Sequence, residues 1–181
     1  MLLVVGFDAD QISDQLAYQF LSTDGPPPTH PTGLFGGEIH FDKNSVLRLQ
    51  VVGSGKPGRL HDFKIVDCTL ITTPLIIEAG ARGTRYALPS PFVKCDTACS
   101  KLPLDFSSAP PAAQDDKTVL ITQNWQHELD VGETYGRWNM SIVMTIAITR
   151  QAGAPPLLRV FSFDPEGQVG AGGNHDENHV I

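Results

Sequence analysis

The chain has 181 residues, 41% of them hydrophobic, and a net charge of −7, enough to bury one core and too short for two full domains. That acidity, with no local basic patch, argues against nucleic acid and against an anionic membrane as partners. The apolar run Met1 to Val5 stops at Gly6-Phe7-Asp8 without a basic leader, too short for a signal peptide or a membrane span, so a cytoplasmic protein is expected.

Seventeen glycines and fourteen prolines divide the chain into pieces of strand length. In chain order, strands are predicted at Leu2–Phe7, Gly37–Phe41, Ser45–Val52, Phe63–Thr72, Pro74–Glu78, Thr84–Leu88, Thr118–Leu129, Trp138–Thr149 and Leu157–Phe163. Several show strict period-2 alternation. Trp138, Met140, Ile142, Met144, Ile146 and Ile148 share one face; Leu47, Leu49 and Val51 share another; Ile121, Trp125 and Leu129 a third. The expected fold is all-β, an antiparallel β-sandwich of jelly-roll type with long loops and at most one short helix. The one helical candidate is Asp10–Leu21, where Ile12, Leu16 and Phe20 recur four apart behind Asp8 and Asp10, which would cap it or form a turn; the stretch is short and could equally be an ordered loop. The stretches 22–33 and 89–116 read as long loops. Residues 1–166 form the predicted domain, and 167–181 a flexible glycine-rich tail.

Motifs for chemistry are sparse. There is no nucleophile elbow, Walker loop or dinucleotide fingerprint, and "VGSGKPG" (Val52 to Gly58) lacks the hydroxyl residue and helix a phosphate loop needs. No cofactor is implied. Cys68, Cys95 and Cys99 are odd in number and suit reduced structural thiols better than disulfides, although the Cys95–Cys99 spacing could close a small loop or hold a metal. His175 and His179 have the spacing of a metal pair only if the tail is helical. Trp125 and Tyr135, flanking the turn at Asp130–Glu133, are candidates for stacking on a glycan or other small ligand, although core packing competes for Trp125 and Trp138. Loop carboxylates, Asp115-Asp116 or Asp164 with Glu166, could assist through calcium. His61, Asp62 and His127 would be the acid–base groups of a hydrolase or isomerase, but nothing supplies a nucleophile or oxyanion donors. Asp164-Pro165 reads as a strand stop, since proline cannot donate to a ladder and aspartate favours turns.

The order of features resembles the AidA/PixA family of bacterial inclusion-body proteins. "LLVVGFDADQI" stands where that family has a strand ending in an acidic turn, and "GGEIHF" where it has a glycine-aromatic strand. "LRLQVVGSGKPGRLHDFKIVDCTLIT" is a loose counterpart of its middle segment, and "NWQHELDVGETYGRW" and "VFSFDPEGQV" match its closing strands, the last at Phe163-Asp164-Pro165. The middle segment has Phe63-Lys64 where the family has tryptophan-arginine. The resemblance implies a β-sandwich without established catalytic residues, and self-association, so that a non-enzymatic homo-oligomer is expected.

Overall fold

The computed structural model describes residues 1–21, 39–80, 83–109, 112–115, 118–164 and 166–169. Fifteen strands follow in order: β1 (Leu2–Asp8), β2 (Ala17–Leu21), β3 (Ile39–Phe41), β4 (Val46–Gly55), β5 (Asp62–Pro74), β6 (Ile76–Gly80), β7 (Gly83–Tyr86), β8 (Cys99–Lys101), β9 (Phe106–Ser108), β10 (Ala112–Asp115), β11 (Thr118–Trp125), β12 (Leu129–Asp130), β13 (Gly136–Thr149), β14 (Leu157–Phe163) and β15 (Glu166–Val169). Two sheets face each other across one core. The first runs β10-β11-β4-β1-β2, with β9 on β11 and β12 on β4; the second runs β3-β15-β13-β5-β8, with β14 beside the far half of β13. β6 and β7 form a separate hairpin. The fold is an all-β sandwich, and neither sheet closes into a barrel. Two pairings within it are parallel, β1 with β4 and β15 with β3.

Period-2 patterning explains which residues meet. The inward faces Leu3, Val5 and Phe7 of β1, Leu47, Leu49 and Val51 of β4, and Trp138 through Ile148 at alternate positions of β13 are all buried in a single cluster. β5 keeps its inward face only by a bulge. Ile65 pairs with Ile146 and Asp67 with Thr145, so Val66 is the extra residue. Burial accordingly switches from Phe63 and Ile65 to Cys68, Leu70 and Thr72. Phe7 bridges the sheets, edge-on to Phe63 at 5.1 Å and stacked on Phe161 at 5.3 Å. The amide of Gln123, buried between the sheets, donates 2.5 Å to the Phe63 carbonyl and so ties β11 to β5.

Three expectations need correction. No helix forms at Asp10–Leu21: a turn is followed by an irregular stretch, a bridge at Gln15 and then β2. A spacing of four fits a strand as well as a helix. Leu16 and Phe20 are buried on period 2, whereas Ile12, which a helix would have turned inward, is 96% exposed. The stretch 89–116 is not one loop, because β8 adds to β5, and β9 and β10 both add to β11. Its strands are three or four residues long, too short for alternation to reveal. The second sheet also continues through Val169, which is fully buried, three residues into the stretch read as tail; 170–181 lie outside the described residues.

Gly136 opens β13 because the indole of Trp138 folds back over it: a Cβ there would lie 2.5 Å from the ring and 2.8 Å from the Ala87 Cβ. Gly136→Ala should therefore cost about 1–3 kcal/mol through overpacking, read as a lower urea midpoint with an unchanged m-value. Cys68 is fully buried, and burial, reinforced by Asp67 and opposed by Lys101, raises its thiol pKa from 9.0 to about 12. The unfolded thiol ionises first, so this contribution to stability is complete below pH 9 and is lost as pH rises to about 12. Stability should fall by up to about 1.4 kcal/mol per pH unit in that window, and Cys68→Ala should remove the slope relative to wild type in parallel urea titrations.

Candidate functional site

β14 is an edge strand whose two ends are treated differently. At Ser162 the backbone N–H donates 2.9 Å to the Asp14 carbonyl, and the Ser162 carbonyl accepts from Leu16 N–H at 3.0 Å. The chain between β1 and β2 thus covers this end as a short parallel bridge at Gln15. Because Ser162 directs both backbone groups away from its β13 partner Val143, it belongs to a non-hydrogen-bonded pair. Such pairs alternate, so Val160 opposite Thr145 and Leu158 opposite Ala147 also turn their N–H and C=O outward. No strand or loop among the described residues meets them.

The side chains on this edge are apolar. Leu158 and Val160 are 62% and 54% exposed, and Ile12 stands clear of the adjoining loop. Edge strands are usually defended by an outward charge, a proline or a bulge. Here the single charge in β14, Arg159, is turned inward. Its guanidinium lies 4.7 Å from the centre of the Phe161 ring. It donates to the carbonyl oxygens of Gln11, of Ile12 at 3.2 Å and of Ser13 at 3.1 Å, and to Asp14 Oδ1 at 2.7 Å. One arginine thus satisfies the backbone of a segment that has no ladder of its own. Gln11 does the rest locally: its side-chain Oε1 accepts from Asp8 N–H at 2.8 Å, and its side-chain amide donates to the Ser13 and Gln15 carbonyls at 2.7 and 2.9 Å.

The candidates from the sequence are dispersed. Trp125 is packed into the core, as the competing reading had it, and its remaining surface lines a cleft of about 770 Å³ together with His127, whose Nε2 is 3.6 Å from Asp105 Oδ2. Tyr135 does not line that cleft; it is exposed on the turn before β13. Trp138 is core, its indole N–H donating 2.7 Å to the Leu88 carbonyl, and Met140 and Met144 are buried beside it. His61 and Asp62 sit exposed at the start of β5, outside the cleft that holds His127. Asp8 accepts from Asp10 N–H at 2.8 Å in a turn, and Asp10 faces Arg59 at 3.8 Å and Arg150 at 3.7 Å. All three cysteines are free, with Cys68 and Cys95 buried and Cys99 exposed. β14 ends at Phe163 with Asp164 exposed beyond it, while Pro165, Asp116, His175 and His179 lie outside the described residues, as do the side chains of Asp115 and Glu166. Among the described residues no group of three or more His, Cys, Asp or Glu could hold a metal, and no helix is long and apolar enough to cross a membrane. This edge gave no motif to find; its only trace is that the polar alternate of Leu157-Leu158-Arg159-Val160 falls on Arg159, leaving Leu158 and Val160 both apolar on the other face.

Arg159→Met keeps most of the apolar stem but releases three carbonyls and Asp14, and should cost about 1–3 kcal/mol in urea denaturation. Amide exchange at Leu16 and Ser162 should accelerate more than at the β5–β13 ladder.

No family model matches the chain, and neither a curated protein nor a solved structure matches it.

Proposed function

We propose that this chain is a non-enzymatic, cytoplasmic β-sandwich that acts by self-association, the role its resemblance to the AidA/PixA inclusion-body proteins implies. The observation that carries the reading is the β14 edge at Leu158 and Val160, which carries no outward charge and which no strand or loop among the described residues covers. A strand edge with free donors and acceptors on alternate residues is self-complementary. Turned about a twofold axis at Arg159, Leu158 of one copy faces Val160 of the other, and each such pair exchanges two backbone hydrogen bonds. The same operation sets Leu158 against Val160 on the outer face as an apolar cross-strand pair. Net charge opposes association of an acidic chain, but this strand adds little to that repulsion, because its arginine is already paired with Asp14. An isologous contact closes as a dimer and needs no other partner.

Size-exclusion chromatography with light scattering should give a dimer for the wild-type chain. Val160→Lys, which places a charge on the edge without touching the core, should give a monomer with a thermal midpoint close to wild type. A strict monomer for the wild-type chain at high concentration, or a dimer undisturbed by Val160→Lys and Leu158→Lys alike, would overturn the reading.

A further inference from the structure

The cleft beside Trp125 is separate from the β14 edge and is bounded by different strands. Its apolar floor is Trp125, Leu102, Pro103 and Leu129. The indole cannot swing, because its N–H donates 2.7 Å to the Pro103 carbonyl, and the His127 ring lies tilted against it at 5.5 Å between centroids. At about 770 Å³ the space lies within the range that small-molecule ligands occupy.

The rim decides what kind of molecule fits. It carries three cations, Arg48, Lys94 and Lys101, and each already has a carboxylate of its own. Arg48 Nε is 3.3 Å from Glu128, Lys94 Nζ is 2.8 Å from Asp130, and Lys101 Nζ is 2.6 Å from both oxygens of Asp67. These pairs are partly exposed, so their remaining donors and lone pairs still face water. With each cation matched by its own carboxylate, the rim offers an incoming anion no net positive charge and sets a negative group beside every donor. A hydroxyl, by contrast, donates and accepts at once, and can insert beside a charge pair without separating it. Ser100, Gln126 and His127 add further donors and acceptors around the same opening.

From this arrangement we infer that the cleft binds a neutral polyhydroxylated ligand of mono- or disaccharide size. Its apolar ring face lies over the exposed His127 ring and the small part of Trp125 that the cleft leaves open, and its hydroxyls meet Arg48, Lys94, Lys101 and the Glu128 carboxylate, all of which line the cleft. A saccharide has this two-sided character, with C–H faces that pack on aromatic rings and a rim of hydroxyls. The site requires neither a metal nor a second copy, since every group named belongs to one chain.

The chain has two tryptophans, both in the core, but only Trp125, 6% exposed, lines this cleft, so ligand entry should be read through Trp125 emission. The full chain would be titrated with maltose, lactose and cellobiose, and in parallel with glucuronate and inorganic phosphate, by fluorescence and by calorimetry. At least one neutral sugar should shift the emission saturably, with millimolar or tighter affinity. His127→Ala and Glu128→Gln, both at exposed positions, should each weaken it about tenfold or more while thermal melting stays near wild type. Val160→Lys should bind sugar as the wild-type chain does, which keeps this result independent of the oligomeric state. Binding of the anions alone, sugar binding that neither cleft substitution weakens, or no saturable response to any of the sugars would each overturn the inference.

Discussion

The ladder between β5 and β13, running from Trp138 opposite Pro74 to Thr149 opposite Asp62, is the constraint on which the rest of the molecule depends. It is the longest pairing in the fold, and β13 also carries β14 and β15 on its other side. A strand of that length would expose half its apolar residues if its partner drifted out of phase. The bulge at Val66 prevents this by resetting the face of β5 midway, so that Phe63 and Ile65 at one end and Cys68 and Leu70 at the other all point to the core. The strain of an extra residue is accepted because every inward side chain then gains burial.

From that ladder the features outside the core follow. β14 takes its register from β13, and that register decides which of its backbone groups face outward. Arg159 falls at an inward position on the sheet border, where it finds the carbonyls of the loop between β1 and β2 instead of water. The arginine thereby closes the side of the sandwich and leaves the neighbouring apolar positions undefended. Stability at the border and the uncharged, apolar surface beside it have the same cause.

The long strands were legible because each carries the alternation that burial on one face demands. Leu157–Phe163 was expected and is found with those bounds, and the inward residues of β4 and β13 are those the alternation marks. Where the alternation is short, or ambiguous between periods, reading failed. Leu16 and Phe20 satisfy both a helix and a strand, and the strand forms because residues 17–21 pair with β1 and Gln15 bridges to Ser162, partners far along the chain or across a turn. β8, β9 and β10 have too few residues to show a period, and they exist because β5 and β11 offered them an edge. Of the aromatic pair proposed for ligand contact, Trp125 reaches a cleft and Tyr135 does not, although they lie on either side of one turn. Proximity in sequence said nothing about which wall each would join.

By itself the sequence determined the class of fold, the faces of the long strands and the point where β14 stops, because these follow from local alternation and from turn residues that act within a few positions. Only the tertiary structure decided the parallel pairing of β1 with β4, the inward turn of Arg159, the backbone at Leu158 and Val160 that no described residue meets, and the three ion-paired cations that line the cleft beside Trp125. Each of these joins residues distant in the chain, such as Lys101 with Asp67 or Arg48 with Glu128. Their partners are selected by the register of the sheets and the burial that register allows, which no single segment contains.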